Sequence, residues 1–183
     1  LNKLESPDVN IVTVEDPIEY DLDNINQAQI NTKSGVTFAS ALRSILRQDP
    51  DIIMVGEVRD EETVELGIRA ALTGHLVFST VHTNDAASGF TRLLNWNVEP
   101  FLIASTVKGI LAQRLVRRIC KECKEPHEPS REELRMVGVD EDESIKSFVG
   151  KGCLSCRNTG FKGRIGIYEL LLVDAAISEL VLE

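Results

Sequence analysis

Aromatic side chains are scarce in this chain. One tryptophan and two tyrosines among 183 residues leave little material for stacking nucleobases. Positive charge is also in deficit. A formal net charge of -9 and a pI of about 4.9 exclude a broad nucleic-acid surface, so no nucleic-acid partner is expected. No apolar run reaches the ~18 residues that a membrane span requires. No signal-peptide pattern opens the chain, and neither an internal repeat nor a low-complexity linker is present. These absences point to a cytoplasmic globular protein. The hydrophobic fraction of 43% is ordinary, and the length suits one sizeable core with a small appendage. The chain begins at Leu1 rather than Met and stops within a helical-looking run at 175–183, as expected of a fragment cut at both ends.

Cysteine is sparse but not scattered. Its four copies form two C-x2-C pairs, Cys120 with Cys123 and Cys153 with Cys156, with no fifth thiol. A two-residue spacer lets both thiolates of a pair reach one ion, and two pairs complete the tetrahedral shell of structural Zn²⁺, with bonds of ~2.3 Å. Two disulfides are the alternative, but they need an oxidising compartment and nothing here indicates export. Four thiolates leave no open position for water, so a metal held this way is structural. The surrounding segment, roughly 118–161, contains Pro126, Pro129, Gly150, Gly152 and Gly160 and is poor in apolar residues. Such a piece cannot bury enough surface alone, and an ion offsets that deficit. The basic residues Arg114, Arg117, Arg118, Lys121 and Lys124 lead into it. An acidic run, DEDE at 140–143, reads as a solvated loop or helix end.

Elsewhere short apolar runs alternate with amphipathic stretches. NIVTV (10–14) suits a buried strand that Pro17 would stop, and residues 25–31 read as one arm of a small hairpin. Thr37 caps a helix with Phe38, Leu42, Ile45 and Leu46 on one face, broken at 49–51. A second strand spans 52–55. A helix from Asp60 or Thr63 carries Val64, Ile68, Ala71 and Leu72 and ends at Gly74. A third strand covers 76–81. Asp85 caps a helix through Leu93 and Leu94, Pro100 opens another running to about Val116, and residues 164–173 return as a strand to the sheet. The pattern predicts an α/β fold whose mostly parallel sheet is covered on both faces.

In such a sheet ligands bind beyond the carboxyl ends of the strands. The first strand ends in Glu15 and Asp16, and the second in Glu57, followed by Arg59 and Asp60. The third has His75 before it and His82 after it. Carboxylates gathered at one rim can hold Mg²⁺ and activate water, while His or Arg can read a phosphate. The second strand, hhhh-G-E, has the form of a Walker B strand, in which the buried apolar residues hold the terminal acid rigid. Its bland reading is a Glu that only caps the following helix.

Taken in order, VTVEDPIEY (12–20), RSILRQDPDIIMVGEVRD (43–60), TGHLVFSTVHTNDA (73–86), QRLVRRIC (113–120) and CLSCRNTGFKGRIGIYELL (153–171) resemble the secretion ATPases. These are the hexameric motors of type II secretion and type IV pilus assembly (GspE/PilB-like). The resemblance implies a partial RecA-like P-loop NTPase core over 1–118, a four-cysteine zinc-binding subdomain over 119–162, and a returning core strand with the start of a helical region over 163–183. It implies Glu57 as catalytic acid, Glu15 and Asp16 as an Asp box, and His75 and His82 as a His box. ATP and Mg²⁺ would be the ligands and a homo-hexamer the assembly. The protein would be cytoplasmic, peripherally associated with the inner membrane through the platform proteins of its machine. The retraction ATPases of the superfamily lack the zinc insert. Two features depart from the pattern. No G-x-x-x-x-G-K-[ST] loop occurs in these residues, so the fragment alone is expected to bind ATP poorly and to be inactive. Gly56 precedes Glu57 where an Asp would ligate Mg²⁺, which favours an ion held through water. Arg43, Arg47, Arg59 and Arg69 are candidates for contribution to a neighbouring subunit. A zinc-stabilised interaction module without catalysis is the alternative function.

Overall fold

The computed structural model describes residues 1–138 and 145–183. The DEDE run at 140–143 lies outside the described residues. The chain divides into two compact units, one formed by Leu1–Ala112 and Glu169–Glu183, the other by Gln113–Tyr168.

The first unit is built on four parallel strands in the order β2-β1-β3-β4: β1 (Ile11–Glu15), β2 (Asn26–Gln29), β3 (Ile52–Val55) and β4 (Leu76–Ser79). Alternation along the strands sets the two faces. Val12, Val14, Ile53 and Val55 point into the main core. They meet Phe38, Ala41, Leu42 and Ile45 of α1 (Phe38–Ile45) and Val64, Ile68 and Ala70 of α2 (Glu61–Leu72). Leu93 of α3 (Ser88–Asn95) and Ile103 of α4 (Pro100–Thr106) close the same core. On the opposite face Ile11, Ile25 and Ile52 pack against Leu1, Val9 and Leu22. The expected cover on both faces is therefore not what the described residues form. The core helices belong to one face, and on the other Leu76 and Phe78 of β4 stay 45% and 39% exposed.

Helix ends follow the sequence signals. Thr37 and Ser40 form a reciprocal capping box on α1, and the Asp60 side chain accepts the Thr63 N–H to cap α2. Asp85 sits one turn early: it accepts from Ser88 N at 2.8 Å, while α3 itself begins after Ala87.

Three further sequence expectations fail. Residues 25–31 are not a hairpin arm, because β2 pairs parallel to β1 in the register Thr13↔Gln27, leaving only an antiparallel bridge between Asn31 and Val36. The helix from Pro100 stops at Thr106. The good helix formers after Gly109 instead enter β5 (Gly109–Ile119), which pairs with β8 (Phe161–Leu172), so tertiary pairing overrides propensity. For the same reason β8 does not return to the four-stranded sheet. The β5–β8 ribbon is tied by Val173 N to Lys108 O at 3.0 Å and by Cys120 N to Gly160 O at 2.9 Å. The chain ends in α6 (Ala175–Leu182).

In the second unit β6 (Lys124–His127) pairs antiparallel with β7 (Ser147–Gly150), and α5 (Arg131–Met136) carries a Ser130–Glu133 capping box. Its buried apolar residues, among those described, are Cys120, Leu134 and Cys156. No helix among the described residues is long and apolar enough to cross a membrane.

Candidate functional site

Three adjacent parallel strands end at one edge of the sheet, and their tips are laced together. Gly56 N donates to Val14 O at 2.8 Å, Val58 N to Thr80 O at 3.1 Å, and Thr80 Oγ1 to Gly56 O at 2.6 Å. A Cβ at Gly56 would lie 3.1 Å from Val14 O and 3.3 Å from Glu15 Cα, so glycine is what lets the β3 tip close on the β1 tip. The lacing fixes the backbone that carries Glu57.

The Glu57 side chain is 17% exposed, and Arg59 holds its Oε1. His82 Nε2 lies 3.5 Å from its Oε2, and Arg59 Nη1 reaches Asp16 Oδ2 at 3.6 Å. The Arg59 guanidinium, helped by His82, keeps the Glu57 carboxyl below its ordinary value of 4.5, against the opposing effect of burial. Because Asp60 caps α2, Glu57 is not occupied as a helix cap. Glu15, at the β1 tip, accepts from Thr13 Oγ1 at 2.5 Å and from Gln27 Nε2 at 2.9 Å. Beside His82 a polar hollow of about 270 Å³ is lined by Thr83, Asn84, Ser88, Thr91, Arg92 and Asn95.

Glu15, Asp16, Glu57 and His82 thus come to one edge. His75 does not. It precedes β4 and sits at the amino edge of the sheet, roughly 16 Å from Thr80 at ~3.3 Å per residue. There its Nδ1 lies 2.8 Å from Ala70 O and 3.1 Å from Thr73 Oγ1, joining the end of α2 to the start of β4. Of the candidate arginines, Arg43 pairs with Glu62 and Arg69 with Glu65 on the surface, while Arg47 bonds Arg43 O at 2.8 Å. No local sequence signal marks Thr13, Gln27 or Thr80 as site residues. Gln27 had no visible signal, because its role depends on the β1–β2 register.

In the second unit the four cysteine sulfurs lie within 4.8 Å of one another. Cys120–Cys153 and Cys123–Cys156 are 3.9 Å apart, and Cys153–Cys156 are 3.7 Å apart. A tetrahedral four-thiolate zinc with ~2.3 Å bonds has edges of about 3.8 Å, whereas a disulfide needs ~2.05 Å. The four thiols are free, and their spacing fits one ion. Burial pushes the Cys123 thiol up to about 12. Burial also opposes ionisation of Cys156, yet the N–H groups of Cys153 (3.2 Å) and Gly160 (3.3 Å) aim at its sulfur and hold it near 6. A cation is what would allow all four to be thiolates.

The whole chain, residues 1–183, matches the family model described as type II/IV secretion system protein. The chain belongs to this family, in its GspE/PilB-like branch. It is 51% identical over 181 residues to the type II secretion system ATPase E of Vibrio cholerae serotype O1, covering 99% of this chain and 36% of that protein. It is 53% identical over 179 residues to the type IV pilus assembly ATPase PilB of Thermus thermophilus, covering 97% of this chain and 20% of that one. The chain thus spans about a third or less of these relatives. Among solved structures it is similar to the pilus retraction motor PilT with bound ADP (TM-score 0.67, 33% identity, 94% of this chain and 41% of that chain). A likeness to the VirB11 ATPase from the Brucella suis type IV secretion system (TM-score 0.54, 21% identity, 96% and 44% of the chains) concerns the fold alone.

Proposed function

We propose that this chain supplies the water-activating half of an ATPase motor, a homo-hexamer of RecA-like cores that drives type II protein secretion or type IV pilus assembly from the cytoplasmic side of the inner membrane. The observation that carries the reading is the Glu57 cluster. A carboxylate fixed at the tip of a buried strand and paired with Arg59 faces His82 at 3.5 Å, with Asp16 within reach of the same guanidinium.

Each residue has a distinct part. Glu57 orients and polarises the water that attacks the γ-phosphate of ATP. Glu15 and Asp16 would support Mg²⁺ and that water. His82 senses the γ-phosphate and, when that group leaves, relays the change towards the hollow beside it. His75, at the opposite edge, couples α2 to β4 and carries that change through the sheet. Cys120, Cys123, Cys153 and Cys156 hold one structural Zn²⁺ that organises residues 119–162. Arg117, Arg118 and Lys121 make that module the face towards the platform proteins.

Glu57→Gln in the full-length protein tests the reading. Turnover is expected to fall by at least about 100-fold while ATP still binds. Turnover near the wild-type rate removes Glu57 from its role and leaves the interaction-module reading.

A further inference from the structure

We propose that Gln27 is the positioning residue of the Asp box, one side chain that sets both the Glu15 carboxylate and the loop beginning at Asp16. The proposal rests on the ATPase reading above, in which Glu15 works on the ion and its water. The β1–β2 register sets Gln27 opposite Thr13, and alternation places residues 13, 15 and 27 on one face. On that face Gln27 uses its whole amide. Nε2 donates to Glu15 Oε1 at 2.9 Å and to Tyr20 O at 3.1 Å, and Oε1 accepts from Leu22 N at 2.8 Å.

The two halves of that network do different things. Thr13, fully buried, adds its hydroxyl to Glu15 Oε1 at 2.5 Å. Two neutral donors therefore fix one oxygen of Glu15, and no hydrogen bond among the described residues reaches the other, which is left for an ion or its water. The remaining bonds clamp the 16–25 loop through its backbone at Tyr20 and Leu22. Packing does not hold that loop at Tyr20, which is 78% exposed. Without Gln27, Glu15 loses one of its two donors and the loop loses its bonds at Tyr20 and Leu22, which leaves Thr13, the packing of Leu22 and Ile25 and the Arg59–Asp16 pair to hold the site less firmly. Misplacement by about 1 Å at such a site costs rate rather than binding.

The test is a double-mutant cycle on the full-length protein. Gln27→Met keeps the length of the side chain and removes all three bonds. It is expected to lower kcat about 10- to 100-fold with KM for ATP changed less than about twofold. On a Glu15→Gln background the same substitution should cost less than about threefold, because the two residues act as one unit. A purely structural Gln27 would give equal costs on the two backgrounds, and that result overturns the proposal. A slow Glu15→Gln protein beside a Gln27→Met protein at the wild-type rate overturns this proposal alone. Glu15→Gln at the wild-type rate overturns the Asp-box reading, and this inference with it. If Gln27→Met does not fold, Gln27→Asn, one methylene shorter, reads the same cycle.

Discussion

His82 Nε2 stands 3.5 Å from Glu57 Oε2, yet the two side chains differ sharply in freedom: His82 is 84% exposed and Glu57 17%. Glu57 is pinned by its strand and by Arg59, so His82 is the partner able to turn away. On the proposed reading it leaves when a phosphate arrives and returns when the phosphate departs, at little cost in buried surface. His82→Ala in the full-length protein should therefore slow turnover about 10-fold or more without lowering thermal stability by more than about 0.5 kcal/mol, as for other exposed positions. Equal damage to folding and turnover would contradict this.

The Arg59–Glu57 pair makes a pH prediction with a definite sign. Arg59 is the larger cause of the lowered Glu57 pKa, so Arg59→Gln should move the Glu57 titration upward, towards 4.5. A carboxyl with a depressed folded-state pKa adds stability above its unfolded pKa and loses it as pH falls through the folded value. The wild-type chain should thus keep this contribution at neutral pH and lose it only below 4.5. The variant should lack that acid-side slope. Carbon-13 NMR of labelled glutamate side chains reads the midpoint directly, and an unchanged midpoint in Arg59→Gln would exclude the guanidinium as its cause.

For the second unit the expectation concerns metal. Cys120, Leu134 and Cys156 are its buried apolar residues among those described, too small a core to hold roughly 50 residues unaided. Metal analysis should find about one Zn²⁺ per chain, and Cys153→Ser should lose it. Chelation should open Gln113–Tyr168 to proteolysis while the sheet unit stays protected. A metal content far below one per chain, with the unit still folded, would refute the four-thiolate site.

Legibility in the sequence divided along physical lines. The strands at Ile11–Glu15 and Ile52–Val55 announced themselves because burial of nearly every side chain leaves continuous apolar runs. Thr37 and Asp60 were readable as caps because capping is local chemistry. The cysteine spacing carried its own geometry. What could not be read was long-range. Nothing local in QRLVRRI says strand rather than helix; its partner lies some 50 residues on, in β8. The parallel β2 looked like a hairpin arm for the same reason, which hid Gln27. His75 and His82 flank one strand and so lie at opposite edges of the sheet, and only the carboxyl edge, which parallel pairing makes common to β1, β3 and β4, gathers Glu15, Glu57 and His82.

Two glycines in the second unit make a steric prediction. Gly150 and Gly160 stand back to back: a Cβ at Gly150 would lie 2.1 Å from Gly160 O, and one at Gly160 would lie 2.3 Å from Gly150 O. Both obstacles are backbone, which cannot rotate aside. Gly160 N also donates to Cys156 Sγ at 3.3 Å, so moving Gly160 away from Gly150 disturbs a cysteine directly. Gly160→Ala should cost about 3 kcal/mol or more in this unit and weaken Zn²⁺ binding. Gly35→Ala is the control. Gly35 also has positive φ, +82°, but among the described residues no atom beyond its chain neighbours lies within 4 Å of its added Cβ, so only the backbone cost of about 1 kcal/mol applies. Similar losses in the two variants would mean that φ, not the contact, decides.

Ile53 is fully buried in β3, between β1 and β4, and its strand delivers Glu57 four residues later. Ile53→Ala removes side-chain atoms from the centre of the main core and should cost about 2–5 kcal/mol. Ile53→Val, losing one methylene, should cost about 0.5–1.5 kcal/mol. Neither substitution touches the hydrogen bonds at the tip, where Gly56, Val58 and Thr80 are joined backbone to backbone or through the Thr80 hydroxyl. If those bonds alone position Glu57, Ile53→Val should turn over ATP at the wild-type rate in the full-length protein despite its lower stability. If the strand must also be packed rigidly beneath them, kcat should fall with stability across the Ile, Val, Ala series. Denaturant unfolding and steady-state kinetics on the same three proteins distinguish the two, and the tip lacing leads us to expect stability to fall first with kcat held.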